Sequence, residues 1–185
     1  MSKVGYGGPS ISAIAKRSGL PASSLYWHFG SKRALLAAVA EDGAARWLTL
    51  IPNWEDVEGP PLERFDKMLR AIAREFERQP EIIRLILMLY LERGKTDVVA
   101  LGTIQRLRRA ALAKFRPAIE TLLDLAGARK NKLAIDELCD FALSFVNGCF
   151  VDHQIDPHRA PFVARFQQLR TALVAIAKEM ATRPL

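Results

Sequence analysis

The sequence predicts an all-α protein, a helix-turn-helix head followed by a helical bundle. Apolar residues recur at steps of three and four along almost the whole 185-residue chain. No run alternates β-branched and polar residues as a half-buried strand would. The breaks between periodic stretches carry Gly, Pro and hydroxyl caps, the chemistry of helix ends. Half the residues are hydrophobic and a quarter charged, the balance of a soluble globular protein. This length buries a full core, in one domain or in a domain with a small module attached. No internal repeat or low-complexity segment interrupts it.

Taken in order, Ser10 caps a first helix reaching about Ser18, and Gly19-Leu20-Pro21 makes a turn. A short helix follows, "ASSLYWHF", in which Ala22, Leu25 and Phe29 share one side and Trp27 points almost directly away. Ser23 and Ser24 flank Trp27, and Tyr26 and His28 border the buried side. Ser31 caps a longer helix reaching about Ile51. "PNWEDVEGPP" (52–61), with three prolines and a cluster of acids, marks the boundary between residues 1–51 and 52–185.

Beyond it, Leu62, Phe65, Leu69, Ile72 and Phe76 form an amphipathic stripe ending before Pro80. A helix from Glu81 to about Glu92 is apolar nearly all round, which predicts a central position. Gly94 to Gly102 reads as irregular, Thr103 as the cap of a helix to about Leu125, and Gly127 as its end. Pro117 should kink that helix. Two more helices, about 134–155 and 161–181, are separated by "DPHRAP". The last carries Phe162, Phe166, Leu169, Leu173, Ile176 and Met180 at alternating steps of four and three, the spacing of a lengthwise packing seam.

Ile14, Ala15, Gly19, Leu20 and Leu25 have helix-turn-helix spacing: a small residue at the crossing, a glycine turn, and two leucines pinning the second helix onto the first. The wider segment, with Gly5-Tyr6, Ser24-Leu25-Tyr26, His28-Phe29, Ser31-Lys32 and Leu35-Leu36, resembles the DNA-binding head of the TetR family of transcriptional repressors. The resemblance covers residues 5 to about 40; the rest of the chain matches in style only. It implies that the short helix enters the major groove of operator DNA. Tyr26, His28 and Lys32 then meet phosphates, Ser23, Ser24 and Trp27 face bases or sugars, and Ser10 with the N–H groups after it holds another phosphate. No Arg, Lys, Asn or Gln lies on 22–29, so no bidentate base reader is present.

The chain departs from that pattern at its start. The family's first helix is expected to be largely absent from this sequence, since "MSKVGYGG" supplies its last turn at most, with Met1 read either as an internal methionine of a longer product or as a shortened start. Ile11, Ile14, Leu25 and Phe29 then lose apolar cover, each at up to about 1.5–3 kcal/mol if fully exposed. A loose head and impaired DNA binding are expected. Pro9 and Pro21 stand where the family more often has Ser or Thr, which removes cap hydroxyls.

The formal charge is +7, and residues 1–51 hold six Lys or Arg against two acids, so most of the excess sits in the head. Cys139 and Cys149, about 15 Å apart along one helix, are too distant for a disulfide and read as core thiols in a reducing compartment. The most apolar runs, 82–91 and 141–151, fall short of the roughly 20 residues that span a bilayer. With no signal peptide or lipidation motif, a cytoplasmic protein is the expectation. Asp152 and Asp156 share a helical face, but His153 points elsewhere and His158 lies past the helix-ending Pro157, so no metal or other cofactor is expected. No phosphate loop or nucleophile-base spacing points to an enzyme.

The family's ligand cavity is compatible with Leu69, Ile72, Phe76, Leu87, Met88 and Leu91, and with Leu112, Phe115, Phe145 and Cys149. Tyr90, Glu92, Arg108 and Asn147 are the polar groups placed to orient a small hydrophobic effector. Pro117 frees the carbonyl near residue 113 and makes a bend beside Phe115 at which a ligand would shift the helix starting at Leu62. Phe141, Phe145 and Gly148 on one helix, with Phe162, Phe166, Leu169, Leu173 and Ile176 on the next, are expected to form a two-fold four-helix interface. The reading is a dimeric, ligand-responsive repressor on palindromic DNA. The alternative is a helical small-molecule-binding or interaction protein whose shortened head no longer binds DNA.

Overall fold

The computed structural model describes residues 10–91, 98–158 and 160–182, all helix and connecting turns with no strand among them. Gly5-Tyr6, Pro9, the "MSKVGYGG" turn, Glu92 and Gly94 lie outside the described residues. The helices are α1 (Ile11–Ser18), α2 (Ala22–Phe29), α3 (Lys32–Thr49), α4 (Pro61–Arg78), α5 (Pro80–Leu91), α6 (Val98–Ala126), α7 (Lys132–Ile155) and α8 (Phe162–Thr182). A single 3-10 turn, Trp54–Asp56, sits between α3 and α4.

The chain divides into two compact units, one from Met1–Thr49 and Gln79–Arg109, the other from Leu50–Arg78 and Ala110–Leu185. In the first unit α3 packs on α5 along a small-residue face. Ala37, Ala40 and Ala44 are buried with Leu36, Leu85, Leu89 and Leu107. Gly43 lies on the same face, and a Cβ there would come 2.7 Å from Ile82 Cδ1. That contact accounts for a glycine inside a long helix, where it otherwise costs about 0.5–1 kcal/mol. α5 is less central than its composition suggests: Ile83, Leu85 and Leu89 are buried, while Ile86, Leu87 and Met88 are only partly covered.

α6 begins five residues before Thr103, so the expectation of an irregular segment up to Gly102 is corrected. Thr103 does not act as a cap because its hydroxyl has partners elsewhere. It donates to Glu41 Oε2 at 3.5 Å and accepts from Arg106 Nη2 at 2.9 Å. Arg106 completes the group with a two-pronged pair to Glu41, Nε to Oε1 at 2.6 Å and Nη2 to Oε2 at 2.9 Å. This fork holds the Glu41 carboxyl below its usual value and raises the guanidinium of Arg106.

In the second unit α8 packs against α4 and α7. Phe76 is surrounded by Phe150, Phe162 and Phe166, with ring centroids 5.8, 5.3 and 5.6 Å away. Segment 52–61 is firmly packed: Trp54 and Val57 are buried, and the Arg64 guanidinium lies 4.2 Å over the Trp54 ring while donating to its carbonyl. Lys114 donates to the carbonyl of Ile51 at 3.0 Å and to Asn53 Oδ1 at 2.6 Å. α6 ends at Gly127, φ 70°, where the Ala128 N–H returns to the Leu123 carbonyl at 2.9 Å. Asn131 then caps α7 by accepting from the Ala134 N–H at 2.9 Å.

Candidate nucleic-acid interface

Three backbone devices present α2. Ser10 Oγ accepts from the Ala13 N–H at 3.1 Å and fixes the start of α1. Gly19, at φ 73°, turns the chain from α1 into α2. Gly30, at φ 71°, closes α2 with its N–H donating to the Tyr26 carbonyl at 2.8 Å, and Ser31 Oγ then caps α3 at the Ala34 N–H. The role of Gly30 is absent from the sequence reading, although a glycine directly after a helical stretch is the signal for it.

The inner side of α2 closes a small core. Ile11, Ala15 and Leu25 are buried, with Ile14, Ala22 and Phe29 partly buried against them. Of the four residues expected to lose cover, Ile11 and Leu25 are buried and Ile14 and Phe29 are partly buried. Leu20 does not help pin the helices, since it is 52% exposed and stands outside this cluster. The other side faces water: Trp27 is 86% exposed, and Ser23, Ser24, Tyr26 and His28 are all exposed. His28 packs edge-on against Phe29 at 4.6 Å, with the Trp27 ring 6.5 Å away. A shallow hollow of about 560 Å³ is lined by Leu20, Ser23, Ser24, Leu25, Trp27, His28 and Phe29.

Pro21, the N-cap of α2, offers no side-chain hydrogen bond, and the Ser24 N–H donates to the Pro21 carbonyl at 3.1 Å. Lys32 is half-buried at the first position of α3, and Lys16 and Arg17 are exposed in the last turn of α1. From the sequence Lys16 and Arg17 are charge alone, and their shared place at the end of α1 comes from the fold. Ser10, Ser23, Ser24, Tyr26, Trp27, His28 and Lys32 thus fall at the cap of α1, along α2 and at the first position of α3, within the first unit.

The residues considered for an effector divide between the units. Leu87, Met88, Tyr90, Leu91 and Arg108 belong to the first. There Tyr90 and Arg108 interact: burial raises the phenol and the guanidinium charge opposes it. Leu91 is 85% exposed, which corrects its placement in an enclosed cavity. In the second unit Leu69, Ile72, Phe76, Phe115 and Cys149 are buried, while Leu112, Phe145 and Asn147 are partly covered. Phe76 is a core residue, enclosed by aromatic rings.

The residues of the expected dimer seam divide by burial. Phe162, Phe166, Leu169 and Leu173 are buried inside their own chain, where they fill the space against α4 and α7. Phe141 and Gly148 are exposed and Phe145 and Ile176 half-exposed. Asp152 pairs with Arg165 at 3.3 Å, Asp156 accepts from the His158 N–H at 3.2 Å, and His153 faces the Phe162 ring at 4.5 Å. These groups point apart, and no metal-holding cluster occurs among the described residues. Burial pushes the Cys139 thiol up to about 11 and raises that of Cys149. Both thiols are weak nucleophiles. No helix among the described residues is long and apolar enough to cross a membrane.

Residues 1–39 match the sequence profile of bacterial regulatory proteins, tetR family. No curated protein sequence matches the chain. Among solved structures, it is similar to the fatty acid degradation regulator FadR from Bacillus halodurans, with a TM-score of 0.72 at 14% identity over 94% of this chain and 91% of that one. It is also similar to the TetR-family transcriptional regulator PfmR from Thermus thermophilus, with a TM-score of 0.62 at 19% identity over 98% and 94% of the two chains. E. coli NemR in its reduced form gives 0.58 at 17% identity, over 96% and 89%. At these identities the structures speak for the fold alone, and residues 1–39 are similar to the head of bacterial regulatory proteins, tetR family.

Proposed function

We propose that the protein is a dimeric transcriptional regulator of the cytoplasm, a repressor that releases palindromic operator DNA when a small hydrophobic effector binds. Residues 1–51 serve as the DNA-binding domain and 52–185 as the ligand-binding and dimerisation domain. One observation carries the reading: a short helix buried on Leu25 leaves Trp27, its largest side chain, 86% in water among Ser23, Ser24, Tyr26 and His28. An isolated surface tryptophan exposes apolar area to no benefit, whereas this face fits base edges and sugars, with Tyr26, His28, Lys32 and the Ser10 turn on phosphates.

The test is selection of bound duplexes from a random library, followed by titration of variants on selected and random DNA. Lys32→Ala should weaken binding to every duplex and lower the salt slope by about 1. Trp27→Ala should change the preferred sequence and cost about 1–3 kcal/mol on the selected duplex. Equal losses on both kinds of DNA would refute the role given to Trp27. No retained duplex, with the protein folded, would favour the helical small-molecule-binding protein instead.

For assembly, the proposed two-fold contact uses the faces of α7 and α8 bearing Phe141, Phe145, Gly148 and Ile176. It would set two recognition helices about 34–36 Å apart, or a multiple of that. A dimer in sedimentation that Gly148→Arg converts to monomer supports it, and a wild-type monomer at micromolar concentration sinks it. The effector is assigned to the surroundings of Phe115 and Pro117, with Leu112, Phe145 and Asn147. Once a screen on the selected duplex yields a releasing compound, Phe115→Trp should abolish the response.

A further inference from the structure

The second unit carries a separate groove of about 360 Å³, lined by Pro60, Pro61, Leu62, Leu122, Leu125, Ala126, Val174 and Lys178. None of these residues belongs to the proposed effector site or to the DNA-facing surface. One wall is the entry to α4, where two consecutive prolines fix the backbone and keep the groove from collapsing. A second is the last turns of α6, where Leu122 is buried but Leu125 is 55% exposed. The third is α8, on which Val174 and Lys178, four residues apart, share one side.

The chemistry of the lining is one-sided. Apolar groups make up all of it except Lys178, which forms no ion pair with another described residue. Of the charges on the flanking segments, Lys67 Nζ donates to the Glu58 carbonyl at 2.8 Å, and Asp124 is held by Lys130 at 3.0 Å. An apolar trough with one uncommitted ammonium suits a ligand with an apolar body and a single negative end. The volume lies at the small end of the roughly 300–1,000 Å³ range of ligand pockets, which favours a short or medium tail.

We infer that this groove binds a small amphipathic monocarboxylate, its tail against Leu62, Leu122, Leu125 and Val174 and its carboxylate on the Lys178 ammonium. The site stands independently of the DNA-binding reading, because its test needs no DNA.

The experiment titrates the full chain with sodium decanoate below its micelle concentration, followed by calorimetry and by amide chemical shifts. Decanol and decyltrimethylammonium serve as uncharged and oppositely charged probes. Decanoate should bind with shifts centred on residues 60–62, 122–126 and 174–178, and more tightly than either other probe. Lys178→Gln, a surface change that leaves folding intact, should weaken decanoate about fivefold and leave decanol unchanged. Val174→Phe, checked for folding by its thermal transition, should block the groove to both. The proposal is overturned if decanoate does not bind, if its shifts lie elsewhere, or if Lys178→Gln leaves its affinity unchanged. Equal affinity for decanol would also overturn it, marking a merely apolar surface, as would a groove closed by self-association with no decanoate bound.

Discussion

Gly19 holds φ at 73° with nothing within 4 Å of where a Cβ would sit, so any penalty for a side chain there comes from the backbone alone. Gly19→Ala should therefore destabilise the head by about 1–2 kcal/mol in chemical denaturation, and Gly19→Asn by less, since asparagine tolerates the left-handed region. Ser10→Ala removes the acceptor for the Ala13 N–H and should cost about 1 kcal/mol. Both positions were legible in the sequence because a cap and a glycine turn are local devices that use few residue types. Leu20 was misjudged for the opposite reason. Its burial depends on where neighbouring helices pass, and spacing alone does not contain that.

Among elements, the contact between α3 and α6 shows how a distant partner overrides a local signal. Thr103 has the residue type of a cap, yet its hydroxyl joins Glu41 and Arg106, and α6 continues through it. The pair also has a pH signature. Glu41 titrates below the usual carboxylate value in the fold, so its contribution is complete at neutral pH and above the unfolded value. That contribution is lost as pH falls through the lower, folded value. Glu41→Gln should leave a smaller acid-induced decline in stability than the parent shows, measured by urea midpoints from neutral pH down to about pH 3. An unchanged acid slope would mean that the fork carries no net stability. In segment 52–61 the prolines and acids mark a boundary in the sequence, and burial of Trp54 and Val57 anchors it in the fold.

At the scale of the whole molecule, the all-α class and the helix-turn-helix followed from periodicity and end chemistry, and the helix boundaries mostly lie within a few residues of expectation. The partner of each apolar face was harder to read. A spacing of four and three along α8 suits a seam between chains and a seam within one equally well. Here Phe162, Phe166, Leu169 and Leu173 close the core of their own chain. Phe76→Ala, which empties the centre of that aromatic group, should cost about 3–5 kcal/mol in denaturation. Ser23, Ser24, Tyr26, Trp27 and His28 of the candidate DNA face were legible as a set because they fall within two turns of one helix. The effector residues, scattered over four helices, were not.

The chain's three tryptophans occupy three unlike surroundings: Trp27 in water, Trp47 buried in α3, and Trp54 beneath the Arg64 guanidinium. They make the protein its own optical gauge. Iodide or acrylamide should quench one component of the emission, the red-shifted one, and Trp27→Phe should remove that component while the blue-shifted remainder stays. Adding a bound duplex should shield the quenchable fraction and leave the other two lamps unaltered, which would report contact at α2 without a label of any kind.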